Sequence, residues 1–214
     1  MDASFVFFLE VIGTVTFAFS GAYVAINQDL DWLGIVLMGV CTACGGGMTR
    51  DVIIANTPAN LFKNPTYVIM AVIVAFITIA IYKPLMKHEM RKEIMFTIDT
   101  LDAVGLAIFT VVGMQVAQGQ GFGENAFLVC FCGVLSAVGG GLLRDIMVNR
   151  TPLVLSKEIY ATASIPGAIF YYYTPSIIGE VPSALITLAI IFVIREWAII
   201  NKKNLPMVEK IVVE

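Results

Sequence analysis

Two seven-residue stretches place the most polar chemistry of this sequence inside apolar surroundings. Gly45-Gly46-Gly47-Met48-Thr49-Arg50-Asp51 returns as Gly139-Gly140-Gly141-Leu142-Leu143-Arg144-Asp145. Three successive glycines lose more backbone entropy on ordering than alanines do, and in a membrane span they predict a kink or local break. A break leaves one helix end offering carbonyls and another offering amides near mid-membrane. Carbonyl oxygens can replace part of a cation's hydration shell. Irregular backbone at that depth survives only where protein buries it or it lines water. The alternative is that the glycines let two helices approach closely, as small residues do in membranes. Two copies at equivalent positions, each followed by Arg-Asp, favour a pathway over packing alone.

The charged residues extend this pattern. Glu10 lies about five residues into the first apolar stretch and Arg50 about four from the end of the second, so at about 1.5 Å per residue they share a depth. The same count brings Asp102 and Arg144 together at the opposite side. A carboxylate–arginine pair is therefore expected in each half, Glu10 with Arg50 and Asp102 with Arg144, and loss of one partner would leave an uncompensated charge. Asp51 and Asp145 directly follow their arginines, and neighbours along a helix do not face each other. They are expected to face the pathway or to cap the second half-helix. Asp99 is a further candidate near one mouth. Thr42 and Ser136, one turn before the glycines, either offer hydroxyl ligands or bond back to their own helix.

Other chemistries are poorly served. The glycines are not followed by GK[ST], so they do not read as a phosphate loop. His88 is the single histidine and sits among basic residues, which excludes a Ser-His-Asp or Cys-His set near the motifs. Cys41, Cys44, Cys130 and Cys132 lie in apolar runs, where thiols behave as small hydrophobes. Cys41 and Cys44 stand at a spacing a metal or redox pair uses, but no second pair or histidine completes a site. No enzyme activity, metal or cofactor is expected, and a net charge of −3 points to no nucleic-acid partner.

The elements that must position these residues follow from composition. The 214-residue chain is 58% hydrophobic and 14% charged, with a mean hydropathy of +0.87. That balance belongs to lipid, which accepts apolar side chains on every face of a helix. Seven stretches are long enough to cross a bilayer: residues 5–26, 32–54, 66–82, 98–117, 126–148, 159–173 and 181–200. Pro166 interrupts the sixth. The N-terminus has no basic region before its apolar run, so the first stretch reads as retained rather than cleaved. Lys83, Lys87, Arg91, Lys92, Arg150, Lys157, Lys202, Lys203 and Lys210 fall on one side, against Lys63 and the nearby Arg50 on the other. The positive-inside rule then puts the N-terminus outside and the C-terminus in the cytoplasm. The basic run 83–92 also suits contact with anionic lipid.

The motif repeat reaches further than seven residues. Thr57-Pro58 matches Thr151-Pro152, and Gly39, Val40 and Ala43 match Gly133, Val134 and Ala137. With a two-residue shift, Gly13, Phe17 and Gly21 match Gly105, Phe109 and Gly113, and Glu10 falls opposite Asp102. Each copy holds three spans, an odd number, so the second enters the membrane from the other side. The expected fold is an all-α membrane protein of seven transmembrane helices: two inverted three-helix repeats, residues 1–88 and 89–176, plus a seventh helix and tail at 177–214. A duplicated scaffold without a pathway is the competing reading, weakened by the intramembrane charges.

The paired GGGxxRD motifs, and the stretch Pro152-Leu153-Val154-Leu155-Ser156-Lys157-Glu158-Ile159-Tyr160-Ala161, resemble the prokaryotic trimeric intracellular cation channels, also labelled putative glycine transporters. The resemblance covers nearly the whole chain up to about Asn201. It implies a homotrimer in a prokaryotic inner membrane, with a pore in each protomer lined by spans one, two, four and five and kinked at the glycines. It implies conduction of potassium and also sodium ions, with Gly45 to Gly47, Arg50 and Asp51, and Gly139 to Gly141, Arg144 and Asp145, as the pore motifs. The phosphoinositide-binding pattern of eukaryotic members is not recognisable. Each motif sets an arginine near a cation path, a tension that neutralisation by Glu10 and Asp102 would relieve. A secondary transporter of a small solute such as glycine is the alternative, since broken helices in inverted repeats serve it equally well.

Overall fold

A computed structural model of the protein describes residues 1–86, 91–155 and 159–202, with side chains described outside 83–86 and 91–95. The helices are α1 (Ala3–Ile26), α2 (Trp32–Ile53), α3 (Asn60–Lys63), α4 (Thr66–Met86), α5 (Arg91–Ala117), α6 (Ala126–Met147), α7 (Ala161–Tyr173), α8 (Pro175–Ile178) and α9 (Glu180–Asn201). Each of the seven apolar stretches falls on one of these helices. Among the described residues five helices are long and apolar enough to cross a membrane: α1, α2, Phe96–Phe122, α6 and α9. Thr66–Tyr82 is a shorter apolar helix. The 13 residues of α7 reach roughly 20 Å at about 1.5 Å per residue, less than the ~30 Å of a hydrocarbon core. Lys87, Lys157, Lys203 and Lys210 of the expected basic side lie outside the described residues, as do the side chains of Lys83, Arg91 and Lys92.

The helices that carry the motifs start and stop alike. The side chain of Asp31 caps α2 by accepting from the Gly34 amide at 2.7 Å, and Asn125 caps α6 by accepting from Leu128 at 3.0 Å. Both helices run 22 residues and end in a left-handed residue, Ala55 at φ 55° and Asn149 at φ 53°. The chain then folds back, with the Asn56 amide bonded to the Asp51 carbonyl at 2.8 Å and the Arg150 amide to the Asp145 carbonyl at 2.9 Å.

Four helices form the centre. α2 packs along α6, α1 lies against α2 and α5, and α5 against α6. α4 covers α1 and α2, while α9 covers α5 and α7. Small residues make this approach possible: Ala18, Ala22, Ala25, Ala71 and Ala75 are wholly buried. Large apolar side chains such as Phe8, Ile73, Phe76 and Ile177 stand exposed instead, the pattern expected of helices that face lipid.

The local break expected at the glycine motifs does not form. α2 and α6 stay helical through all three glycines, and no glycine in either motif has a positive φ. No half-helix ends form there, so no carbonyls or amides are released at that depth. The reason is packing. A Cβ on Gly46 would collide with the Ser136 carbonyl, and one on Gly140 with the Thr42 carbonyl. A Cβ on Gly139 would stand 2.8 Å from Gly46 Cα. The glycines remove side chains where two helical backbones touch, and the backbone bonds within each helix remain intact.

Candidate functional site

The glycine crossing is flanked by an aromatic pair. Phe17 of α1 and Phe109 of α5 have ring centroids 5.1 Å apart, tilted at 43°. Two more glycines seat them: a Cβ on Gly13 would lie 3.0 Å from Phe109, and one on Gly105 would collide with Phe17.

A cavity opens on each side of this plug. One, of about 80 Å³, is lined by Glu10, Thr14, Cys44, Gly47, Arg50, Asp51, Asn60 and Tyr67 among others. The other, of about 260 Å³, is lined by Ser20, Tyr23, Asp99, Asp102, Arg144, Asp145, Arg150 and Thr151 among others. Going along α1, the chain meets the Glu10 cavity first and the Asp102 cavity second. Going along α5, it meets them in the reverse order, with Asp102 in one and Phe109 and Val112 in the other.

At the Asp102 end the expected pair is present. Arg144 Nη1 donates to Asp102 Oδ1 at 2.9 Å and to Ser20 Oγ at 2.7 Å, while its Nε donates to Asp145 Oδ1 at 3.0 Å. One guanidinium thereby ties α1, α5 and α6 together. Arg144 is 4% exposed and Asp102 2% exposed, so these charges depend on each other rather than on water.

At the Glu10 end the expected pair is replaced. Arg50 turns to its own neighbour, with Nε and Nη2 donating to Asp51 Oδ1 at 3.0 and 2.8 Å. The long arginine chain curls over one residue at the helix end, which the rule for facing helix positions does not describe. Glu10 accepts instead from the Tyr67 hydroxyl, and among the described residues it makes no ion pair with Arg50. Arg50 Nη1 also reaches across to Ser136 Oγ on α6 at 3.4 Å.

Asp51 and Asp145 do a second job besides holding arginine. Asp51 Oδ2 accepts from the Asn60 amide at 2.7 Å, at the start of α3, and Asp145 Oδ2 from the Leu153 amide at 3.1 Å. They cap the segments that follow their helices rather than a half-helix inside the span. The hydroxyls of Thr42 and Ser136 bond back to the Met38 and Cys132 carbonyls at 2.7 and 2.6 Å. Gly45 abuts the Leu143 side chain at 2.6 Å, Gly47 faces Arg50 at 3.5 Å, and Gly141 faces the Tyr160 hydroxyl at 2.9 Å, each measured from an added Cβ.

Sequence reasoning missed four participants: Ser20, Tyr67, Tyr160 and Arg195. The tyrosines carried a signal, since each opens the third apolar stretch of its half shortly after the matched Thr-Pro. Ser20 carried none, because its equivalent by the Gly21–Gly113 register is Val112.

The comparisons agree with this architecture. A family model described as glycine transporter matches residues 7–83 and 99–176, two stretches whose starts are as far apart as Gly13 and Gly105. The inner membrane protein YadS of Escherichia coli is 36% identical over 87% of this chain and 91% of its own. A solved prokaryotic TRIC channel, crystallised in 0.5 M KCl, is 30% identical with a TM-score of 0.85 over 95% of this chain and 100% of that one. The TRIC trimeric intracellular cation channel orthologue from Rhodobacter sphaeroides is 28% identical, with a TM-score of 0.83 over 93% and 99% of the two chains. These relatives are membrane proteins and channels rather than enzymes. The chain belongs to the prokaryotic trimeric intracellular cation channel family, whose family model is described as glycine transporter.

Proposed function

We propose that this protein is a monovalent cation channel for potassium and also sodium, with a pore through each protomer of a homotrimer and a gate where α2 and α6 cross at their glycines. The observation that carries it is the pair of charged cavities, met in opposite order by α1 and α5, with the Phe17–Phe109 pair and the Gly46–Gly140 crossing between them. A pathway with a closed waist has that form. Carboxylates outnumber arginines around each cavity once Arg50 and Arg144 are held by their own aspartates, which suits a cation. The glycines then permit the closed contact, and opening requires α2 and α6 to part there.

Seven crossings in two inverted halves, 1–88 and 89–176, with 177–214 outside the repeat, accompany this reading. Reciprocal contacts support it: Gly13 meets Phe109 as Gly105 meets Phe17, and Gly46 meets Ser136 as Gly140 meets Thr42. Charge asymmetry orients the chain with its N-terminus outside and C-terminus inside a prokaryotic plasma membrane, in contact with membrane lipids. The family description favours a second reading, a transporter of a small solute such as glycine.

Single-channel recording of the purified protein in a planar bilayer separates the two. Unitary currents reversing near the potassium or sodium equilibrium potential, and altered by Gly46→Leu or Gly140→Leu, are expected. Electrical silence together with saturable glycine uptake into liposomes would establish the transporter instead.

A further inference from the structure

Cys41, Cys44 and Met48 follow one another at three and four residues along α2, a spacing that sets three sulfurs on one face of the helix. By the register that pairs Gly45 with Gly139, their counterparts in the other half are Leu135, Val138 and Leu142. This stripe therefore belongs to the Glu10 end alone. Cys41 and Cys44 are free thiols, neither fully buried, and near enough to act on each other electrostatically.

Cys44 and Met48, one helix turn apart, both line the Glu10 cavity, and Glu10 lines it from α1. The Tyr67 hydroxyl bonds Glu10 Oε2, which leaves Oε1 as a further donor atom. The cavity holds about 80 Å³, so an ion at its middle has a thiol, a thioether and a carboxylate around it within a few ångströms. Among the described residues no three His, Cys, Asp or Glu side chains form a metal-holding group, so this is no zinc-type set. What the cavity does have is sulfur of two kinds. Thiolate and thioether select soft ions such as Cu(I), whereas potassium and sodium are served by oxygen. The partners that the Cys41–Cys44 spacing lacked are thus a thioether one turn on and a carboxylate from another helix.

We propose that Cys44 and Met48, together with Glu10, form a site for a soft monovalent cation, Cu(I) or Ag(I), at the Glu10 end of the pathway. As the ion binds, the Cys44 thiol gives its proton to water and its sulfur takes the ion, so one proton leaves for each ion held and the charge of the site is unchanged. Met48 supplies the second sulfur without any proton to lose. An ion held in so small a space stands in the way of potassium. That block rests on the channel reading, whereas the binding does not.

Equilibrium dialysis of the full-length protein against Ag(I) in chloride-free buffer tests the site. With Cys41, Cys130 and Cys132 replaced by alanine, one Ag(I) per chain is expected to bind and to release one proton. Adding Met48→Leu to that background is expected to weaken binding about tenfold or more, since even supporting groups around a metal contribute that much. Adding Cys44→Ala instead is expected to abolish it. Binding unchanged by Met48→Leu means a bare thiol and overturns the site. If the cysteine replacements prevent assembly, Met48→Leu in the otherwise unaltered chain is judged by the same loss. In bilayer recordings Ag(I) is expected to stop the potassium current of the wild type and to spare that of Cys44→Ala. Bound Ag(I) with an undiminished current overturns the block. Wild-type protein that carries no current refutes the channel reading and leaves dialysis to decide the site.

Discussion

Asp102 holds Arg144 at 2.9 Å across the interface of α5 and α6. At the equivalent place in the other half, Glu10 and Arg50 have separate partners, Tyr67 and Asp51. The two arginines therefore differ in what their removal would leave behind.

Arg144→Met would strand Asp102 in a buried site and leave Asp145 its bond from the Leu153 amide. About 3–5 kcal/mol of destabilisation is expected, the usual cost of breaking a buried ion pair from one side. Arg50→Met strands only Asp51, which keeps its bond from the Asn60 amide, and Glu10 keeps Tyr67. Thermal melting of the purified variants in detergent should rank Arg144→Met well below Arg50→Met. Equal losses would mean the two ends are held alike.

Neighbouring glycines should respond with opposite sign. In Gly46→Ala the new methyl meets the Ser136 carbonyl of the facing backbone, which cannot yield as a side chain can. About 1–3 kcal/mol of destabilisation is expected from such overpacking. In Gly47→Ala the methyl finds only the Arg50 guanidinium, at an ordinary 3.5 Å. That variant should gain up to about 1 kcal/mol from helix propensity. The same melting assay reads both.

The Phe17–Phe109 pair is the apolar part of the waist. Phe109 borders the Glu10 cavity, while Phe17 is 1% exposed beneath it. Phe109→Ala should remove half of the plug and raise resting potassium efflux from loaded liposomes several-fold over wild type. Efflux at the wild-type rate would place the barrier in the glycine crossing alone.

Cys44 borders the Glu10 cavity, whereas Cys132 is wholly buried. With the other cysteines replaced by alanine, a positively charged methanethiosulfonate added to intact cells should label Cys44 and spare Cys132. Labelling of Cys44 only from the cytoplasmic face would invert the proposed topology while keeping the cavity.

Much of the architecture was legible in the sequence because lipid imposes a simple code. Long apolar stretches had to be helices, and all seven fall on them, with α2 starting at Trp32 and α6 at Ala126 as expected. The duplicated GGGxxRD picked out the residues that meet at the centre, since identities at a fixed offset report a shared environment. Short segments such as α3, α8 and the Gln118–Phe122 turn escaped, because four or five residues carry too little periodicity to register.

Sequence alone therefore determined which residues are apolar enough to enter the membrane, which positions correspond between the halves, and which charges accompany the glycines. Tertiary structure alone decided what those glycines and charges do. Helix entropy argued for a break at Gly45 to Gly47, but close backbone contact with α6 rewards an unbroken helix, and that contact is invisible along one chain segment. Depth counting put Glu10 level with Arg50, yet depth fixes one coordinate of three. The choice of Tyr67 over Arg50, and the reach of Arg195 from outside the repeat to Tyr160, depends on lateral packing that no spacing in the sequence encodes.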